Sequence, residues 1–332
     1  MQVTYFFRKQ THGFHSIETL FSAIRNALPE SVSHKAHFVR FKSAMPFAVL
    51  LNGILARFAG GEINHITGDI NYLALFLNPK RTVLTIHDIE ILKRSKGLKK
   101  FIIKLFWFEI PIKKAKYVTV ISEFTKRELL NEIKTDSSKI IVIPNCLTIH
   151  TKPFNYLFNS LKPNILQIGT KPNKNIETLI AALENIPCKL TIIGKLSEKQ
   201  VQLLVNTNIE YENLSNLSSS EIINAYQHTD LVSFISTYEG FGLPILEANV
   251  VGRPVLASNT AAIPEVAGNS ALYVNPHDVN SVRNGIKRLI ENPAEREQII
   301  KNGFINIQRF SPQIIANQYI ALYETIVKES VA

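Results

Sequence analysis

The chain has 332 residues, 45% of them hydrophobic and 19% charged, with two cysteines and a formal net charge of +10. A single core stops growing near ~250–300 residues, so two domains are expected, and the composition excludes a disordered chain. No apolar run reaches the roughly 18 residues that cross a bilayer, and the positive balance suits an anionic partner without saying which.

The first segments alternate between two periods. Val3–Phe7, His37–Phe41, Ile63–Ile66, Thr82–His87, Tyr117–Ile121 and Ile140–Ile143 read as strands. His15–Leu28, Pro46–Phe58 and Glu123–Ile133 carry apolar residues at helical spacing. Such alternation predicts a parallel sheet covered on both faces. The start of the chain reads as a buried first strand and lacks the features of a signal peptide, so Cys146 and Cys188 are expected as reduced thiols in a cytoplasmic protein.

The pattern pauses after Pro144, and residues 151–162, with Pro153, Asn155 and Asn159, read as a linker. It then resumes. Asn164–Ile168, Lys189–Ile193, Leu231–Ile235, Pro254–Ala257 and Leu272–Val274 are the next strands. Asn175–Leu183, Ser219–Tyr226, Pro244–Val250 and Val279–Ile290 are helices, with Asp278 capping the last. Ser311-Pro312 opens a final helix that runs to about Val327. The expected division is therefore a first domain at 1–150, a second at 163–310, and a C-terminal helix at 311–332 that packs back toward the first. Ligands in open parallel sheets bind at the carboxyl ends of the strands, so function belongs to the loops found there.

The most informative loop is Thr237-Tyr-Glu-Gly-Phe-Gly-Leu-Pro-Ile-Leu-Glu247, between an apolar strand and a helix. Gly240 and Gly242 let the backbone approach a ligand, and the amides of Phe241, Gly242 and Leu243 would face a diphosphate at the helix N-terminus. Glu239 and Glu247 flank that anion site. Carboxylates accept hydrogen bonds from paired hydroxyls and repel phosphate, so each suits a hydroxylated ring, a sugar on one side and a ribose on the other. A glycine turn with two solvated acids is the bland alternative. It gives no reason for a strand, two glycines, a proline start and two spaced acids to coincide.

This segment resembles the signature of family 4 retaining glycosyltransferases. So do Gly252-Arg-Pro-Val-Leu-Ala-Ser258, Ile263-Pro-Glu-Val266 and Ala271-Leu-Tyr-Val-Asn-Pro276. The resemblance implies the GT-B fold, an α/β architecture of two Rossmann-like parallel-sheet domains facing across a cleft. It also implies that Glu239 contacts the transferred sugar and Glu247 the donor ribose.

Four further regions take their meaning from the same comparison. Gly169-Thr-Lys-Pro-Asn-Lys-Asn175 closes a strand, and Lys171 and Lys174 would reach the diphosphate, stabilising charge that grows as the glycosidic bond breaks. Family members carry an arginine-lysine pair there. Lys174-Asn175 matches, the arginine is absent, and which lysine replaces it stays open. His87, in Thr85-Ile-His-Asp88, resembles a family histidine near the sugar; a histidine satisfied in loop packing is the alternative. In the first loop only Gly13 matches the glycine pair that relatives carry near the donor phosphates or the acceptor, and His12 and His15 beside it face either the cleft or the solvent. Asp88-Ile-Glu90 is too short a pattern to predict a metal, and none is expected.

The stretch 93–116 mixes lysines with aromatic residues. It reads either as a surface that lies on an anionic membrane or as a helix burying Phe101, Leu105 and Phe108 with its lysines outside; the packed helix is preferred. The expectation is thus a cytoplasmic hexosyltransferase, at the inner face of a membrane if that stretch engages lipid. It needs no cofactor or metal, takes a nucleotide-sugar donor and a carbohydrate or lipid-linked acceptor, and works in polysaccharide or glycolipid assembly. The competing reading is a non-catalytic nucleotide-sugar or carbohydrate binder of the same fold. No nucleic-acid-binding signature is present, and no Gly-x-Gly-x-x-Gly follows a strand, which disfavours a dehydrogenase.

Overall fold

A computed structural model describes residues 1–10, 16–42 and 45–331. Gly13, His12 and His15 lie outside the described residues. The chain divides into two compact units, Met1–Cys146 with Ser311–Ala332, and Leu147–Phe310. The segment 151–162 is thus part of the second unit, and the final helix belongs to the first.

The first unit holds β1 (Gln2–Phe7), β2 (Ser33–Phe38), β3 (Ile63–Ile66), β4 (Thr82–Ile86), β5 (Tyr117–Val120) and β6 (Ile140–Val142). They form one parallel sheet in the order β2-β1-β3-β4-β5-β6. The second strand starts four residues before the expected His37–Phe41. It is an edge strand whose sequence, Ser-His-Lys-Ala-His-Phe, is largely exposed, so apolar alternation does not mark it.

The second unit holds β7 (Asn164–Ile168), β8 (Lys189–Ile193), β9 (Glu210–Leu214), β10 (Leu231–Phe234), β11 (Val255–Ser258) and β12 (Leu272–Val274). Its sheet, also parallel, runs β12-β11-β10-β7-β8-β9. β9 was not foreseen. It is the other kind of edge strand, Glu-Tyr-Glu-Asn-Leu, with its charges in solvent. The strand order reverses between β7 and β10, the switch point where a doubly wound sheet leaves an open crevice.

Period-2 alternation splits β1 between two cores. Tyr5 and Phe7 face one layer and Phe6 the other. The layer beneath Tyr5 is closed by the helix Pro312–Val331, which contributes Ile315, Tyr319, Tyr323 and Ile326. A buried polar chain fastens it. Tyr323 Oη lies 2.6 Å from His65 Nδ1 and donates to Tyr5 Oη at 3.2 Å. His65 Nε2 lies 2.7 Å from Thr85 Oγ1, which lies 2.6 Å from Thr119 Oγ1. Complete burial, with the nearby His87 a smaller contributor, pushes the His65 pKa down to about 3, so the ring is neutral in the folded chain.

Unfolding lets this imidazole regain an ordinary pKa. Below about pH 6.5 the unfolded state binds a proton that the folded state refuses, so stability falls as pH drops toward 3. Between pH 7 and pH 5 this group should cost the first unit about 2 kcal/mol. Denaturant melts at the two pH values check it: a His65→Gln variant should lack that share of the decline, and an equal decline in both proteins contradicts it.

Candidate functional site

The loops after β7 and β10 meet at the switch point, and their backbones are laced together. The Thr237 amide donates to the Asn173 carbonyl at 2.8 Å, and Asn173 Nδ2 donates to the Tyr238 carbonyl at 3.0 Å. Asn175 adopts the left-handed conformation, φ 59°, which asparagine tolerates. Its amide nitrogen donates to the carbonyls of Ile235 and Pro276, so one side chain ties three loops. Gln167 Nε2 donates to the Lys174 carbonyl from beneath.

This lacing presents Lys174 to Glu239. Lys174 Nζ lies 2.6 Å from Glu239 Oε1, and the two side chains are only 19% and 16% exposed. The ammonium also sits 5.1 Å from the centre of the Phe234 ring. Gly169 makes the approach possible. Its φ is +87°, and a Cβ there would fall 2.9 Å from Lys174 Cγ and 3.0 Å from Cε. The glycine thus serves the path of the lysine stem as well as the turn. Lys171, by contrast, is exposed, and its side chain makes no polar bond among the described residues. Of the two expected lysines, the fold brings Lys174 to the site.

Glu247 lies on the helix Leu243–Val251, whose N-cap is Gly242 at φ +128°. A Cβ on Gly242 would stand 3.2 Å from both Ile245 and Phe234. No side chain caps this end, and among the described residues the amides of Phe241, Gly242 and Leu243 have no protein acceptor. The Phe241 ring is buried edge-on against Phe310, centroids 5.5 Å apart, which anchors the loop. One turn into the helix, Glu247 Oε2 accepts a 2.6 Å hydrogen bond from Tyr226 Oη. Burial raises the Glu247 pKa, against the opposing pull of the Tyr226 hydroxyl and the Lys174 charge. Tyr226 itself is fully buried, and burial with the neighbouring Glu247 carboxylate raises its pKa well above the ordinary value. This tyrosine was read only as the end of a helix, because its contact with Glu247 joins residues 21 apart.

In the first unit, His87 follows β4. Its Nε2 lies 2.7 Å from the Thr67 carbonyl, so Nε2 carries the proton and Nδ1 faces away from that bond. Gly68, φ +126°, makes room: a Cβ would fall 2.7 Å from His87 Cδ2. Asp88 Oδ1 accepts from the Glu90 amide at 2.9 Å, and Glu90 pairs with Arg94 at 2.5 Å. The two acids thus serve a turn and a surface pair, and among the described residues no acid, cysteine or histidine cluster of metal-binding size occurs.

Two family models match this chain. One, described as glycosyl transferases group 1, covers residues 149–305, and the other, glycosyltransferase family 4, covers 36–150. The chain belongs to this glycosyltransferase family. It is similar to the O-antigen chain mannosyltransferase RfbU of Salmonella typhimurium, 27% identical over 256 residues, or 74% of this chain and 66% of that one. It is also similar to the MMP alpha-(1->4)-mannosyltransferase of Mycolicibacterium hassiacum, 28% identical over 62% of this chain and 53% of that one. The matches thus span about half to two thirds of these relatives' lengths. Among solved structures, a sucrose-phosphate synthase from Thermosynechococcus elongatus aligns with a TM-score of 0.77 at 19% identity, over 99% of both chains. HepE of Anabaena, in complex with UDP and glucose, aligns at 0.75 and 15%, over 98% of this chain and 100% of that one. The fold is GT-B.

Replacing Gly169 by alanine forces a side chain into a positive φ and against the Lys174 stem. The expected loss of stability is about 1–2 kcal/mol, read from a thermal or denaturant melt. A variant as stable as the parent would show that the Lys174 path does not depend on this glycine.

Proposed function

We propose that this protein is a retaining hexosyltransferase that moves a sugar from a nucleotide diphosphate donor to an acceptor hydroxyl in polysaccharide or glycolipid assembly. The observation that carries the proposal is the pairing of Lys174 with Glu239 at the switch point, beside a helix end whose amides are unoccupied among the described residues. The mannosyltransferase relatives make mannose the first sugar to test. They also favour the enzyme over a non-catalytic binder of the same fold.

In this reading Glu239 holds Lys174 in place while the site is empty, and the donor diphosphate then competes for the ammonium. Lys174 and the amides at Phe241, Gly242 and Leu243 take the charge that accumulates on the leaving diphosphate, with no metal or cofactor in the step. Glu239 orients the transferred sugar. Glu247, held by Tyr226, accepts the ribose hydroxyls. Acceptor attack on the face that the diphosphate leaves would retain configuration. Lys171 is left as an exposed cation near the loop's start.

Calorimetric titration with GDP-mannose and UDP-glucose tests the division of labour. Glu247→Ala should weaken donor affinity about 10- to 100-fold, the worth of hydrogen bonds to a charged group. Glu239→Ala should keep donor affinity within a few-fold and lower turnover by about 10²-fold or more. Unchanged donor affinity in the Glu247 variant would refute the ribose assignment.

A second observation supports peripheral contact with an anionic lipid surface. No described helix is long and apolar enough to cross a membrane. Yet the helix Pro46–Ala59 turns an apolar stripe outward, with Phe47 70%, Ile54 43% and Phe58 84% exposed. In the 93–116 stretch, Phe108 is buried as the packed-helix reading expects, but Phe101 is 61% exposed, which corrects that reading. Exposed apolar residues with exposed cations close in the chain, Arg57 next to Phe58 and Lys96 and Lys99 ahead of Phe101, fit the headgroup layer of anionic lipid. The protein should float with phosphatidylglycerol vesicles and not with phosphatidylcholine ones. A Phe47→Ser, Phe58→Ser double variant should stay at the bottom of the gradient, and equal flotation of variant and parent would remove this surface from the account.

A further inference from the structure

The Tyr226–Glu247 hydrogen bond spans two helices, Ser219–Gln227 and Leu243–Val251, so its length depends on how those helices are held against each other. We propose that Arg253 holds them. It is a positioning residue that sets the Tyr226 hydroxyl on Glu247, and through it the hold of Glu247 on the donor ribose. This inference rests on the ribose reading of Glu247 and names what keeps that carboxylate in place.

Both members of the pair lie near the C-terminal ends of their helices, where the last carbonyls have no partner within the helix. Arg253 serves both ends. Its Nε donates to the Tyr226 carbonyl at 3.1 Å, and Nη2 donates to the Gln227 carbonyl at 2.6 Å. Nη1 donates to the carbonyl of Gly252, just past the second helix, at 3.3 Å, and to that of Phe154 at 3.1 Å. A cation also suits the negative ends of two helix dipoles. The backbone adds to the clamp: the Arg253 amide donates to the Ala248 carbonyl at 2.9 Å, and the Phe154 amide to the Val251 carbonyl at 3.1 Å.

The guanidinium is kept from water. Arg253 is 4% exposed, with the ring centres of Tyr156 and Phe154 5.1 and 5.9 Å from its Cζ. Burial lowers its pKa, and the neighbouring Asp230 carboxylate opposes that shift. Asp230 is fixed in turn, its two oxygens accepting from the amides of Asn159 and Asn164, each at 2.7 Å.

The consequence for Glu247 is geometric. The Tyr226 carbonyl is held by Nε, and the hydroxyl of the same residue is held 2.6 Å from Glu247 Oε2. A slip of either helix end moves that hydroxyl directly, because the buried ring has no room to swing back. Lysine would keep the charge and lose the planar fork, and its three N–H groups cannot serve four carbonyls.

The test is calorimetric titration of the whole protein with GDP or UDP, whichever binds more tightly, and with its 2′,3′-dideoxy form, which lacks the hydroxyls assigned to Glu247. The parent should prefer the hydroxylated nucleotide by about tenfold or more. Tyr226→Phe and Arg253→Lys should each raise its Kd about 3- to 10-fold and leave that of the dideoxy form within about twofold. The double variant should bind no more weakly than Tyr226→Phe alone, because both changes act on one carboxylate. A residue that served stability alone would lower the number of binding sites and leave both Kd values at the parent's. If Arg253→Lys lacks a cooperative melt, Tyr156→Ala takes its place. Tyr156 is 39% exposed, so the fold tolerates its loss. Water reaching the guanidinium should then raise the same Kd about 2- to 3-fold. The inference is overturned if the variant keeps the parent's ratio of the two Kd values, or if both nucleotides weaken equally. A parent that does not discriminate refutes the ribose assignment and this inference with it. Discrimination that is equal in parent and variant refutes the positioning role alone.

Discussion

The loops of the second unit are arranged around one ion pair, Lys174 with Glu239, held where the strand order reverses. An ammonium and a carboxylate this little exposed cannot be left unmatched, because removing either partner strands a charge in a poorly solvated place. The surrounding structure answers that constraint. Asn173 and Asn175 lace the two loops, and Gly169 clears the lysine stem. An anionic ligand that displaces the carboxylate inherits a cation already positioned, which is the economy of a preorganised site.

Glu247 is governed by a different balance. Burial pushes its proton affinity up, and the Tyr226 hydroxyl and the Lys174 charge pull it down. The tyrosine is buried beneath the helix that bears the glutamate, so its hydroxyl cannot turn to water. In the first unit the same logic recurs with an imidazole. His65 is satisfied on both ring nitrogens and stays neutral, tying the last helix of the chain to the sheet. Buried polar groups with fixed partners specify which helix lies on which strand, beyond what apolar contact decides.

Much of this was legible in the residues, for physical reasons. Buried parallel strands such as Asn164–Ile168 and Lys189–Ile193 announce themselves as apolar runs, and both have the bounds read from sequence. The edge strands did not, because Ser33–Phe38 and Glu210–Leu214 need no apolar face. The loop at 237–247 was readable because glycine, proline and acid spacing are local. The choice between Lys171 and Lys174 was not, since it turns on the path of a side chain past Gly169. Tyr226 was invisible for a related reason: it acts on a residue 21 positions away, and nothing local marks the pairing. The helix Pro46–Ala59 was legible as a helix, but the solvent position of Phe47 and Phe58 was not, because helical spacing alone does not say which side is covered.

The most direct test is a crystal structure of the protein with GDP or UDP bound. The account predicts both phosphates against the amides of Gly242 and Leu243, Lys174 Nζ within hydrogen-bonding distance of a phosphate oxygen, and both ribose hydroxyls on Glu247. A diphosphate bound away from that helix end, or a ribose that leaves Glu247 facing only Tyr226, would contradict it.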